Sequence, residues 1–140
     1  MSTPESTRGE RLNNPGNILR ESDPWRGMAA DQSGDARFCI FDEPLYGIRA
    51  LAKLLLTYQR RHGCRTVRQI IDRWAPPIEN DTDSYVFDVA HRMNVRPDET
   101  IDIDQADTLT ALARAIIHHE NGRCIYSDAI IDAAVRLAQA

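Results

Sequence analysis

One stretch constrains this chain more than any other: Asp107 to Tyr126, DTLTALARAIIHHENGRCIY. Leu109, Leu112, Ala113, Ile116 and Ile117 recur at the i, i+3, i+4, i+7, i+8 spacing of an amphipathic helix. Asp107 or Thr108 suits its N-cap, and Gly122 stands where a left-handed C-terminal cap belongs. Glu120 follows Ile116 by four residues, so it extends the apolar stripe into the last helical turn. A carboxylate there meets the negative end of the macrodipole and partly apolar surroundings, both of which disfavour its charge. Such a residue suits a general acid of the kind glycoside hydrolysis uses. Equally, Glu120 reads as a solvated helix end beside His118 and His119. On the first reading Glu120→Gln is neutral or mildly stabilising at neutral pH.

The chain has 140 residues, 42% of them hydrophobic and 27% charged, with a net charge of -4. That length is enough for one domain with a real core. Arg49, Arg60, Arg61, Arg65, Arg68 and Arg73 crowd the first long helices, whereas acidic residues concentrate from Glu79 to Asp107. The overall balance is acidic, which argues against nucleic acid as a partner. Cys39, Cys64 and Cys124 are widely spaced without a CxxC pair. They read as free thiols of a reducing compartment rather than a disulfide or zinc framework. The four His lack ligand spacing, so neither a metal nor an organic cofactor is expected. MSTPESTRGERLNN holds no apolar core of a secretory signal, and no apolar run is long enough to span a membrane.

Residues 1–8 are polar and read as a flexible arm, leaving 9–140 as one domain. RGERLNNPGNI, Arg8 to Ile18, is dense turn chemistry that presents amide groups. Trp25 to Phe41 reads as a β-hairpin, with strands near 27–31 and 36–41 joined by 32–35. Trp25 itself serves either the core or stacking on a sugar ring. Helices follow over Tyr46–His62, Thr66–Trp74 and Asp83–Met93, then the Glu120 helix, then one capped by Ser127. The expected class is therefore α+β, mostly α, with about five helices and one small hairpin.

These elements carry a resemblance. RGERLNNPGNI, Trp25-x-Gly27, Phe38 and Phe41, Tyr46 to Ala50, Arg73-Trp74-Ala75-Pro76-Pro77-x-Glu79-Asn80 with Thr82 and Tyr85, and His119-Glu120-Asn121-Gly122 stand in this order. In that pattern the chain resembles a family of small phage and prophage virion proteins that look like lysozyme-type peptidoglycan hydrolases. The resemblance covers about Arg8 to Tyr126. Ala113 to Gly122 is also similar to the helix ending in Glu-Ser-Gly that bears the catalytic acid of lytic transglycosylases. Asn13 to Ile18 with Trp25-x-Gly27 is similar to a segment and β-wing of bacterial glucosaminidases. There the Glu helix precedes the wing, whereas here it follows.

The resemblance implies a lysozyme-like fold and cleavage of peptidoglycan glycan strands. Glu120 would be the acid and Glu79, near a helix start, the assisting carboxylate. Asn14, Asn17 and Tyr85 would line the saccharide groove, with Asn80 orienting Glu79 or a water. It also implies synthesis in the bacterial cytoplasm, packaging in or on a phage particle, and action at the cell wall. The alternative is a non-catalytic phage structural protein that binds virion neighbours or the cell wall.

Overall fold

The computed structural model describes residues 5–21, 23–77 and 80–140. Among them stand six helices: α1 Arg8–Arg11, α2 Pro44–His62, α3 Val67–Trp74, α4 Thr82–Met93, α5 Ala106–Asn121 and α6 Asp128–Gln139. α2 starts with Pro at its first position and ends on Gly63 at φ 68°. That pairing matches the demands of the two helix ends, a spare N–H at one and a left-handed turn at the other. Thr66, Asp81 and Ser127 cap α3, α4 and α6 through side-chain oxygens on the backbone N–H three residues on. α5 begins two to three residues earlier than a cap at Asp107 or Thr108 would set it, at Ala106, with Gln105 before it and no side-chain cap.

Packing follows the stripes. Ile48, Leu51, Ala52 and Leu55 of α2 are completely buried, and α2 lies mainly along α6 through Ile131, Ala134 and Val135. Leu109, Leu112, Ile116 and Ile117 put α5 into the same core, where it packs on α4 and α6. The buried residues form one contiguous cluster. Removing a Leu or Ile side chain of this size from water stabilises a fold by about 1.5–3 kcal/mol. The helices are thus held by burial more than by propensity. Gln59, buried on α2, accepts from the Ile103 N–H at 2.9 Å and donates to Asp102 at 2.8 Å, pinning the acidic connector ahead of α5.

The expected hairpin does not form. Among the described residues the only β pairing is two isolated antiparallel bridges, Leu19 with Phe38 and Met28 with Phe41, so the fold is all-helical rather than α+β. The physical reason lies in where residues 36–41 spend their hydrogen bonds. Arg37 C=O accepts from Arg20 N–H, Cys39 N–H donates to Ile18, and Phe41 N–H donates to Leu12. The Gln32 side chain takes strand-like bonds itself, accepting from Ile40 N–H and donating to Ile40 and Ala29 carbonyls. Ala29 N–H still donates to the Ile40 carbonyl, but with the remaining bonds spread over several segments no continuous ladder forms. Apolar alternation at Phe38 to Phe41 reflects cover from several segments, not a pleated pair.

α1, the helix beyond the five expected, is one turn long and closed by a capping box between Thr7 and Glu10. Glu10 does more than cap. Its side chain is nearly inaccessible and takes two hydrogen bonds from Arg123, at 2.8 and 3.0 Å, tying the N-terminal turn to the end of α5. Those Arg123 hydrogen bonds, with help from the Thr7 N–H, hold the Glu10 carboxyl below its ordinary range against the opposing effect of burial. Stability from a depressed carboxyl is present above its unfolded value, about 4.3, and disappears as pH falls through the lower folded one. Glu10→Gln is therefore expected to melt several degrees below wild type at neutral pH. The gap should close as the buffer is taken into the acid range; a gap that is constant with pH would rule out the ionic origin.

Candidate active site at the end of α5

Successive residues of an α-helix point about 100° apart. The end of α5 uses this to grip separate parts of the molecule. His119 Nδ1 lies 2.7 Å from Asp88 Oδ2 on α4. Asn121 donates to the Pro15 carbonyl at 2.9 Å and accepts from the Thr7 hydroxyl at 2.6 Å. Between them Glu120 accepts from Asn17 Nδ2 at 2.9 Å through Oε1 and from the Tyr85 hydroxyl at 2.7 Å through Oε2. Each carboxylate oxygen thus keeps one lone pair uncommitted among these bonds. No cation forms an ion pair with Glu120 among the described residues.

Glu120 lines an open cavity of about 680 Å³ together with Asn17, Trp25, Tyr58, Trp74 and Asn80. That volume lies within the range of small-ligand sites. Leu54, Tyr58 and Arg61 contribute one wall, spaced so that a single face of α2 presents all three. Glu21, Asp23 and Pro24 contribute from the loop ahead of Trp25. Tyr58 and Trp74 meet edge to face, with centroids 6.4 Å apart. Aromatic surface flanked by amides and carboxylates suits a saccharide, whose ring has apolar C–H faces and a polar edge.

Tyr85 stands behind the carboxylate rather than in the groove lining, only 3% exposed. Its oxygen also accepts from Trp74 Nε1 at 3.2 Å. Burial first, then the neighbouring Glu120 charge, pushes its hydroxyl far above the ordinary tyrosine range, so it remains a donor. Asp88 behaves oppositely. Burial raises its carboxyl, but His119 and Arg92 outweigh that and leave it depressed.

The structure sorts the expected residues. Asn17 and Tyr85 meet at Glu120, and Asn80 borders the same groove, exposed and donating to the Pro76 carbonyl at 3.2 Å. Asn14 does not reach the groove. It is fully buried, donates to Ile18 and Cys39 carbonyls and accepts from Ile18 N–H, so its amide is spent on folding the turn. Glu79 lies outside the described residues. Trp25 is half-buried, packed on the core and also on the groove. Tyr58, Arg61 and Trp74 were not singled out by sequence as groove residues. The spacing of Leu54, Tyr58 and Arg61 on α2 is the signal that could have found them. Among the described residues no cluster of His, Cys, Asp or Glu could hold a metal ion, and no helix is long and apolar enough to cross a membrane.

No family profile matches the chain. It is 37% identical over 126 residues to Protein P5 of Pseudoalteromonas phage PM2, an alignment covering 88% of this chain and 76% of that protein. At that identity and coverage, the chain belongs to the family of this phage protein.

Proposed function

We propose that the protein cleaves the glycan strands of peptidoglycan and is carried with the phage particle to the cell wall. The observation that carries this reading is a carboxyl group, Glu120, set in a groove lined by Trp25, Tyr58 and Trp74, hydrogen-bonded by neutral donors and unpaired with any cation among the described residues. A sugar lying along the aromatic side chains would bring its glycosidic oxygen to the proton that Glu120, in its acid form, carries at a position its bonds to Asn17 and Tyr85 leave free. Proton transfer from Glu120 to that oxygen breaks the C1–O bond and leaves positive charge on the ring. The resulting carboxylate, fixed by Asn17 and Tyr85, faces that charge and stabilises it. Water, or a hydroxyl of the same sugar, then adds to C1 and returns a proton to Glu120. Asn80 and Asn17 supply amide contacts at the groove edge. Kinship with a phage protein supports packaging with the particle and contact with other particle proteins.

A non-catalytic role in the particle is the second reading. It is favoured by that kinship and by the two protein hydrogen bonds that already engage Glu120. Purified sacculi separate the two. The catalytic reading expects soluble muropeptides to appear with time, new reducing ends marking hydrolysis and their absence marking internal transglycosylation. Sacculi left intact across the acid and neutral range would favour the particle-protein role.

A further inference from the structure

Tyr85 is the donor that fixes Glu120, and a phenol ring swings about its own side-chain bonds unless something holds its face. The imidazole of His119 does so. The two rings are stacked, with centroids 3.7 Å apart and planes inclined by 27°. His119 is in turn fixed by Asp88, whose Oδ2 lies 2.7 Å from Nδ1 and whose Oδ1 accepts from Arg92 Nε at 3.0 Å. Tyr85 and Asp88 are three apart on α4 and therefore share the face turned to α5. Both rings are thus set by the register between two helices. The rest of the ring is buried in the core, and its oxygen accepts from Trp74 Nε1 and donates to Glu120 Oε2. The oxygen lies on the axis about which the ring turns, so those two bonds leave the ring plane free; the stacked imidazole covers one face and, with the core, sets the plane in which the hydroxyl hydrogen points.

From this geometry we infer that His119, held by Asp88, is a positioning residue that keeps the Tyr85 hydroxyl aimed at Glu120. It touches no substrate and acts through Tyr85. The inference rests on the reading that Glu120 is the working group, but its first test does not need turnover. The chain has two tryptophans, and Trp74 Nε1–H bonds to the Tyr85 oxygen, so its indole N–H signal reports where Tyr85 stands. In ¹⁵N-labelled protein, with Trp25→Phe used for assignment, His119→Ala should move the Trp74 indole cross-peak in the same direction as Tyr85→Phe. The Trp25 peak should stay. His119→Phe, which keeps a ring to stack but loses Asp88, should fall between His119→Ala and wild type, and it guards against a variant that fails to fold.

The second test is kinetic, on a soluble muropeptide. His119→Ala should lower kcat by up to about 10²-fold, the scale of a misplaced catalytic contact, with KM nearly unchanged. Added to Tyr85→Phe it should cost nothing more, because the residue it positions is already disarmed. An unmoved Trp74 signal in His119→Ala overturns the inference, as do kcat losses that multiply in the double variant. Wild-type protein without turnover sinks the catalytic reading instead, and the Trp74 signal still decides the role of His119.

Discussion

Glu120→Gln should lower the release of muropeptides from sacculi by about 10²- to 10⁴-fold, the range that one positioned acid–base group supplies. The amide occupies the same space but cannot deliver a proton. The structure also changes what this variant does to stability. Sequence reading makes Glu120→Gln neutral or mildly stabilising, because a carboxylate at a helix C-terminus stands in an unfavourable field. In the folded protein two donors, Asn17 Nδ2 and the Tyr85 hydroxyl, converge on the carboxylate. A glutamine offers one acceptor oxygen and turns its NH₂ toward the other donor. One hydrogen bond is lost and a donor is left facing a donor, at a cost of about 1–2 kcal/mol. The expected pattern is a protein that melts a few degrees lower yet stays folded in the assay, with activity reduced far beyond what that loss explains. Activity within about tenfold of wild type in folded Glu120→Gln would remove Glu120 from the chemistry.

Gly47→Ala should be the most damaging single methyl group in the chain. A Cβ at this position would sit 1.9 Å from the Asn13 carbonyl oxygen and 3.0 Å from its carbon, so the collision is with backbone rather than with a side-chain tip. Backing away is not open to the N-terminal segment. Asn13 stands at φ 55°, and its side chain donates to the Phe41 carbonyl at 3.0 Å. The next residue, Asn14, is locked by its three buried hydrogen bonds. Overpacking of this kind costs more than about 3 kcal/mol when neither side yields. A fall in Tm of about 10 °C is the expected readout for a chain of this size. Because the displaced segment carries Asn17, residual activity should fall alongside stability. A melting temperature within a few degrees of wild type would show that the helix and the turn do not approach as closely as described.

Both predictions depend on the segment from Thr7 to Ile18, which sequence reading treats as turns and potential sugar contacts. Its single helical turn was in fact signalled by Thr7-Arg8-Gly9-Glu10, a Thr and a Glu at capping-box spacing. The five longer helices were legible because one physical cause, burial of a 3.6-residue stripe, set both the pattern and the packing. Residues 36–41 misled for the converse reason. Their alternation arose from several unrelated neighbours, and a Gln32 side chain can imitate a strand without leaving a trace in hydrophobic pattern. The site was legible in its parts. Glu120 stood out by position on its stripe, and Asn17 and Tyr85, like Asn14, were named through the family resemblance, but which of them meet depends on long-range packing. His119 read as helix-end charge because its two partners, Asp88 and Tyr85, lie on another helix.

Asn17 and Glu120 are 103 positions apart in the chain, and Tyr85 is 35 positions from Glu120. Closing loops of that length costs entropy before the contacts return anything, so such meetings belong to the final stages of folding. The carboxyl group therefore acquires its two donors only after both ends of the polypeptide have been brought together. A nascent chain still lacking α5 has no Glu120, and one that has α5 but an undocked N-terminal turn has a Glu120 without Asn17. On the proposed reading, activity is in that sense a late reporter: it registers the docking of the N-terminal turn, α4 and α5, not the presence of any one of them.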